Sequence, residues 1–269
     1  MQLWPESKDF HQGSESLRIG TSGYSFEDWR SVFYPQKLNK AKMLDFYVQY
    51  FNTVEINVTY YRIPAPKVFE GMIRRTGEDF RFMVKAHQSA THQRHQLREE
   101  TSRFLEAIKP VADAGRLSGV LAQFPWSFQF SPENREHLKA CAALFAGSSL
   151  FIEFRHASWL NQESIALLTE LGLGYVIVDE PPLPGLVPDV VHITNGIGYY
   201  RLHGRNAAGW YHGGGERYNY NYSEVELTGI AEKIKHLRKS TEKIYVFFNN
   251  CFTGFAVMNA RRLKEMLDA

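Results

Sequence analysis

Eight short runs rich in β-branched or aromatic residues recur along this 269-residue chain, and a polar or ionisable residue closes each run. Segments with helical periodicity follow most of them. Strands that alternate with helices form parallel βαβ units, and eight such units predict an α/β fold, a single eight-stranded (β/α)8 TIM barrel. The runs are Leu17–Tyr24, Thr53–Asn57, Arg81–His87, Leu117–Gln123, Leu150–His156, Gly174–Asp179, Gly198–Arg205 and Lys243–Asn250.

Chain length favours one domain, because a barrel of this type needs about 250 residues. We therefore expect a barrel domain over residues 17–269 and a flexible tail over residues 1–16, which lack apolar periodicity. The tail also lacks the apolar core of a signal peptide, and no segment approaches the roughly 20 apolar residues that span a bilayer. A formal charge of +2 does not by itself indicate nucleic acid or membrane. Cys141 and Cys251 form no disulfide framework or zinc motif, so a reduced, cytoplasmic protein without membrane contact is predicted.

Helical periodicity predicts seven longer helices and one interruption. The helices are Lys42–Phe51, Lys67–Arg75, Glu99–Ala114, Ser131–Ala146, Asn161–Leu171, Ser223–Lys239 and Phe252–Leu267. Strand six leads instead into Pro181-Pro182-Leu183-Pro184-Gly185, which cannot form a full helix, so a loop or truncated helix is expected there. The aromatic segment Phe26–Lys40 is expected to pack over one side of the barrel mouth.

Polar residues recur at every second position near the strand ends, where barrels of this type carry their active sites. Apolar residues occupy the alternate positions, which predicts polar side chains toward the lumen and apolar ones toward the helices. The polar series are Glu55 and Asn57, Lys85 and His87, Glu153 and Arg155, and Arg201, His203 and Arg205. Gln123, Asp179, Asn249 and Asn250 add polar groups at other strand ends.

Four of these residues are catalytic candidates. Lys85 could hold an anion, or act as an amine nucleophile if burial lowered its pKa. Glu153 suits a general base or acid, with Asp179 as its partner, and Glu55 is the fourth candidate. The candidates for binding substrate are Tyr24, Asn57, His87, Gln123, Arg155, His156, Arg201, His203, Arg205, Trp210, Arg217, Tyr218, Asn249 and Asn250.

Two alternatives to a catalytic site built from side chains alone stay open. No cofactor is predicted, yet His87, Glu153, Asp179 and His203 have the residue types of a divalent metal site, although no His-x-x-x-His motif accompanies them. The charged residues could also form a paired network that merely fills the barrel. An inert barrel would fill its interior with Val, Ile and Leu, which favours function for the set as a whole.

The segment Asn206–Tyr222 is long for a barrel loop and carries Gly213-Gly214-Gly215 together with interleaved Arg and Tyr residues. Its glycines could let backbone N–H groups reach a phosphate, and its rings could stack on bases. Aromatic packing around the mouth is the interpretation we favour. Trp126, Trp159 and Trp210 follow strand ends and are expected to form an aromatic rim.

Several segments resemble the YecE-like family, a set of TIM barrels catalogued as a domain of unknown function. They are Gly20–Tyr24, Val54–Asn57 with Thr59–Arg62, Phe80–Lys85, Gln123–Pro125, Glu153–His156 with Ser158–Trp159, Leu202–Arg205 and Phe248–Asn250. The resemblance spans Leu17 to Leu267 and implies the barrel fold, but no reaction. It implies these motif residues: Glu55, Asn57, Lys85, Gln123, Glu153, Arg155, His156, His203, Arg205, Asn249 and Asn250. Val58 and Asn219 depart from the family pattern, which commonly has a small polar residue and Asp there.

Three functions are compatible with these residues. The leading hypothesis is an enzyme that acts on a small, polar, anionic substrate bearing phosphate or carboxylate. The second is a protein that binds nucleic acid or processes phosphodiesters, by fold-level analogy with endonuclease-IV-like barrels. The third is a non-catalytic protein that binds a ligand at the aromatic rim.

Overall fold

Eight parallel strands form the barrel in the computed structural model, which describes residues 16–212 and 215–268. Their bounds are β1 Leu17–Thr21, β2 Thr53–Ile56, β3 Arg81–Lys85, β4 Leu117–Gln123, β5 Leu150–Glu153, β6 Gly174–Asp179, β7 Ile197–Leu202 and β8 Lys243–Phe248. From β2 to β8 each strand pairs with its neighbours in chain order, and β8 also pairs with β1. A bridge between Ser22 and Glu55, with Gly23 N donating to Glu55 O at 2.8 Å, joins the ends of β1 and β2. The predicted barrel is confirmed.

Helices surround this sheet. Their bounds are α1 Met43–Tyr47, α2 Val58–Tyr61, α3 Pro66–Arg74, α4 Leu97–Asp113, α5 Pro132–Leu144, α6 Gln162–Glu170, α7 Glu224–Leu237 and α8 Phe255–Asp268. Residues 180–196, between β6 and β7, contain no helix, as the proline-rich sequence predicts. Ser131 caps α5 by accepting a hydrogen bond from Asn134 N at 3.2 Å. Helix α8 begins three residues later than predicted, because Thr253 has a left-handed φ of 45° that interrupts the helical backbone.

The aromatic segment before α1 is part of the core. Trp29 and Tyr34 are buried, and Trp29 Nε1 donates to the Cys251 carbonyl at 2.7 Å just beyond β8. Met43 and Tyr47 of α1 are buried beneath this segment. The buried side chains of α1 therefore stabilise the fold.

Strand register identifies the residues that face the lumen, because partners in register on parallel strands point to the same side. Lys85 is in register with Leu121, and Gln123 with Glu153. On β6, Val178 is in register with Arg201 and therefore faces the lumen.

Some expectations concern the environment of the chain or residues outside the described ranges. Both cysteines are free and buried. Within residues 16–212 and 215–268, no helix has the length and apolar character needed to cross a membrane. Almost all of the predicted tail, residues 1–15, and the pair Gly213-Gly214 lie outside the described residues.

Candidate functional site

A chain of alternating charges crosses the barrel lumen from β2 to the end of β6. This lumen chain consists, in order, of Glu55, Arg201, Glu153, Arg155 and Glu180. Arg201 donates to both oxygens of Glu55, Nε to Oε2 at 2.8 Å and Nη2 to Oε1 at 2.7 Å, and its Nη1 donates to Glu153. Arg155 Nη2 lies 2.7 Å from Glu153 Oε1, and Nη1 donates to Glu180. The network pairs buried charges that would otherwise be costly.

Two of the three carboxylates of the lumen chain, Glu55 and Glu153, are held in their charged form. Burial alone would raise the pKa of Glu55, but the Arg201 guanidinium outweighs it and leaves that pKa below its usual value. Glu153 has no solvent exposure. Burial opposes its ionisation too, yet Arg155 and Arg201 together hold its pKa well below the usual range. A carboxylate so enclosed accepts protons poorly, and its contacts hold the two arginines in place.

His203 is a neutral member of the same cluster. Its Nδ1 lies 2.9 Å from Asn249 Nδ2. Its Nε2 lies 3.1 Å from Arg155 Nη2 and 3.3 Å from Glu153 Oε1. Burial, with the nearby charge of Arg155, lowers the pKa of His203 to about 3. This histidine therefore supplies no charge at neutral pH.

Lys85 differs from the other lumen cations. Its Nζ donates to Gln123 Oε1 at 2.7 Å and lies 4.4 Å from the centre of the Tyr60 ring. Among the described residues no ion pair joins it to a carboxylate, and the side chain is partly exposed. Burial, reinforced by repulsion from Arg201, lowers its pKa to about 7. This amine therefore loses its proton more readily than that of an ordinary lysine.

Asp179 and Arg205 lie outside the lumen chain. Asp179 is in register with Leu202 and faces the helices, where it accepts from Arg205 Nη2 at 2.5 Å and from the Tyr222 hydroxyl at 2.7 Å. Burial raises the pKa of Asp179, although Arg205 opposes the shift. The prediction that Arg205 shares a side with Arg201 and His203 is wrong. Gly204, with φ +87°, breaks the alternation and turns Arg205 outward.

The loop after β7 covers part of the mouth. Trp210 is buried, and the guanidinium carbons of Arg217 and Arg155 lie 4.7 Å and 5.6 Å from its ring. Arg217 also donates to the Trp210 carbonyl at 3.0 Å, and it lies 5.9 Å from the Tyr218 ring. Asn219, a departure from the family pattern, donates to Glu216 at 3.3 Å on this loop. The interleaved Arg and Tyr residues pack on one another here.

Only part of the predicted aromatic rim exists. Trp126 is 49% exposed at the mouth, against the His156 ring. Trp159, however, is fully buried, stacked on Phe154 at 4.3 Å, and it donates to the Phe128 carbonyl at 2.6 Å. Its placement on the rim is wrong, because the short helix that contains it turns the indole inward.

The other predicted site residues divide between the lumen and its surroundings. Asn57 joins the lumen chain by donating to Glu55 Oε1 at 2.9 Å. The remaining four bind local partners instead. These are His87 with Ser89, His156 with Ser158, Asn250 with Asn259, and Tyr24, whose carbonyl accepts from Tyr34.

Three residues of the lumen are not among the predicted site residues. Glu180 follows β6, both of whose faces are buried, so alternation gives no signal there. Burial raises the pKa of Glu180 to about 7, although Arg155 opposes the shift. The Tyr199 hydroxyl donates to Glu55, and Tyr60 lies beside Lys85. Tyr199 lies two positions before Arg201 on β7 and therefore faces the lumen as well. The alternation of side chains along this strand predicts its position if tyrosine is counted as a polar residue.

Within the described ranges, no three His, Cys, Asp or Glu side chains come together as a metal would require. Of the four candidates, Asp179 faces the helices and His87 lies 3.8 Å from Glu100 of α4. The arrangement thus offers an amine and paired charges rather than a preformed set of metal ligands.

Comparisons with known proteins agree with the fold and with the resemblance noted in the sequence. The family described as "Protein of unknown function DUF72" matches residues 18–269. UPF0759 protein YunF of Bacillus subtilis is 31% identical, over 94% of this chain and 95% of its own length. UPF0759 protein YecE of Escherichia coli is 29% identical over 154 residues.

Solved structures of two relatives cover nearly the whole chain. The crystal structure of a DUF72 family protein from Thermotoga maritima is 41% identical, with a TM-score of 0.88 over 94% of this chain and 100% of that one. A DUF72 family protein from Enterococcus faecalis is 26% identical, with a TM-score of 0.85 over 94% and 96%. By sequence and by fold, the chain belongs to the DUF72 family of proteins of unknown function.

Proposed function

We propose that this protein is an enzyme that binds a small, polar, anionic substrate at the barrel mouth and uses the Lys85 amine as its reacting group. One observation carries the proposal. The two lumen arginines are paired with carboxylates, whereas among the described residues Lys85 has a neutral amide and an aromatic ring as its partners. A half-buried lysine kept for stability would be expected to carry a carboxylate partner.

The position of Lys85 supports a chemical role. It is the last residue of β3, at the end of the barrel where enzymes of this fold bind their substrates. The residue is partly exposed, which supports access from the mouth. Its pKa of about 7, caused first by burial and then by Arg201, provides a neutral amine without a separate base.

The anionic character of the substrate is supported by the charges around Lys85. Arg201 and Arg155 disfavour the protonated form of Lys85, whereas Glu153 and Glu55 favour it, so both signs of charge in the lumen chain act on the amine. A carboxylate or phosphate that bound close to the two guanidinium groups would interact favourably with their positive charge. The arginines would act through their field, since their N–H groups are already engaged by Glu55, Glu153 and Glu180.

Nucleic-acid binding is the less favoured alternative. The arginines at the mouth have intramolecular partners: Arg155 pairs with Glu153, Arg205 with Asp179, and Arg217 stacks on Trp210. Phosphate contacts would have to displace these partners. Strongly salt-dependent binding of short oligonucleotides would favour this alternative over a small substrate.

The proposal is tested by incubating the purified protein with a desalted extract of small metabolites and comparing the extract before and after by mass spectrometry. Wild-type protein is expected to deplete at least one carboxylate- or phosphate-bearing compound. Lys85→Met should lose this activity, because the thioether keeps the packing of the stem but cannot react.

Lys67→Met is the matched control, since Lys67 is an exposed lysine of α3. It should deplete the same compound at the wild-type rate. Identical extracts after treatment with wild-type protein and Lys85→Met would refute the enzymatic proposal. Protection of the folded protein by an extract component without turnover would favour the non-catalytic alternative.

A further inference from the structure

We propose that the substrate carries a carbonyl group next to its anionic group, as in an oxo acid, and that Lys85 Nζ condenses with that carbonyl to form a Schiff base. This inference rests on the proposed function, in which Lys85 is the reacting group. It adds the substrate class and the covalent step.

The contacts of Lys85 suit a nucleophile. Gln123 Oε1 can accept from Nζ whether the amine is charged or neutral, so Nζ is held in place in both states. A lysine that served only to bind an anion would have to stay protonated. The absence of a carboxylate partner among the described residues, together with burial, works against that state.

The surroundings also suit the product of condensation. The Schiff base becomes a cationic iminium, and the Tyr60 ring, 4.4 Å from Nζ, presents a π system that favours a cation. Glu153 and Glu55 contribute negative potential at the same atom. The site therefore tolerates a positive charge once a covalent bond has been made.

Charge balance favours a negative group on the substrate. The lumen chain has three carboxyl groups and two guanidinium groups. When Glu180, with its pKa raised to about 7 by burial, takes up a proton, the chain is neutral. An iminium at Lys85 then adds an uncompensated positive charge, which a carboxylate or phosphate on the substrate would neutralise.

The step balances without an oxidant or reductant. The Nζ lone pair forms a bond to the carbonyl carbon, and one amine proton moves to the carbonyl oxygen to give a carbinolamine. A second proton, taken from solvent at the mouth, lets the hydroxyl group leave as water. The C–O bond breaks, and the carbon–nitrogen bond becomes the double bond of the iminium.

The test is reductive trapping of the full-length protein at pH 7 with pyruvate and cyanoborohydride, followed by peptide mass spectrometry. Lys67 serves as an internal control, because it is an exposed lysine in the same chain. A neutral amine is about 10³ times more abundant for a pKa near 7 than for an ordinary lysine. Lower intrinsic nucleophilicity offsets part of this, and we expect Lys85 to be modified at least ~10-fold more than Lys67.

Acetone is the matched probe without the carboxylate, and it should modify Lys85 at least ~10-fold less than pyruvate if the positive potential recruits anions. Modification of Lys85 no greater than that of Lys67 would overturn the inference. So would equal modification by the two ketones, since the anionic group would then play no part. The internal comparison within wild-type protein makes the result independent of the folding of any variant.

Failure of this inference is distinguishable from failure of the proposed function. If the metabolite depletion depends on Lys85 but no ketone is trapped there, the enzymatic proposal is supported and the inference of a carbonyl-bearing substrate is wrong. If pyruvate is trapped at Lys85 but the extract is unchanged, formation of the Schiff base is supported and the enzymatic proposal is wrong.

Discussion

Arg201 is the residue whose removal should cost this fold the most. It is 1% exposed and makes the contacts that neutralise both Glu55 and Glu153. In Arg201→Met, Glu55 keeps neutral donors such as Tyr199 and Asn57, while its own charge remains buried. Breaking a buried ion pair in this way costs about 3–5 kcal/mol. For a chain of this size that corresponds to a fall in Tm of roughly 6–20 °C.

The assay is urea unfolding followed by circular dichroism, with thermal melts alongside. Arg262→Met is the matched control, because Arg262 binds Glu224 at 2.9 Å on the surface, where both side chains are well exposed. It should change stability little or not at all. The double variant Glu55→Gln/Arg201→Met should recover part of the loss, since one orphaned charge has been removed. A free energy of unfolding for Arg201→Met within about 1 kcal/mol of wild type would refute the account of the lumen chain.

Two further predictions concern a titrating acid and a close approach of two strands. Because burial raises the pKa of Glu180 from 4.5 to about 7, the folded protein binds a proton that the unfolded chain has released in this window, and stability falls as pH rises through it. The free energy of unfolding of wild type relative to Glu180→Gln should therefore decrease between pH 5 and pH 8; an unchanged difference would mean that this carboxyl titrates normally. A Cβ at Gly20 would lie 2.5 Å from the Thr53 carbonyl oxygen, so Gly20→Ala should cost about 1–3 kcal/mol in urea unfolding. Gly77→Ala, which meets no atom within 4 Å, is its control and should be neutral or gain about 0.4–1 kcal/mol; equal stability of the two variants would contradict the packing described at β1 and β2.

The sequence was sufficient for the barrel because strand and helix periodicities alternate clearly along the chain. The sequence also predicted that Glu55, Lys85 and Glu153 face the lumen. Polar residues at alternate positions of a strand, with apolar residues between them, indicate which side of the strand faces the lumen. That logic fails at β6, where both faces are buried and apolar up to Asp179. The lumen position there belongs to Glu180, which pairs with Arg155.

Alternation also fails where the backbone leaves the extended conformation. Gly204 adopts a positive φ, and the following Arg205 turns to Asp179 on the outer side of the barrel. A glycine in sequence does not reveal the sign of its φ. The roles of the arginines were equally hidden, because pairing between β2, β5 and β7 depends on distances across the lumen and not on sequence spacing.

The central claim is that Lys85 holds a neutral, reachable amine at physiological pH. Its most direct test is a measurement of the Lys85 pKa by following the chemical shift of its ¹³C-labelled side chain against pH, with the resonance assigned through Lys85→Met. Burial and the charge of Arg201 predict a midpoint near 7. A midpoint at the ordinary lysine value of about 10.4 would contradict the account, because the amine would then be fully protonated wherever the protein works.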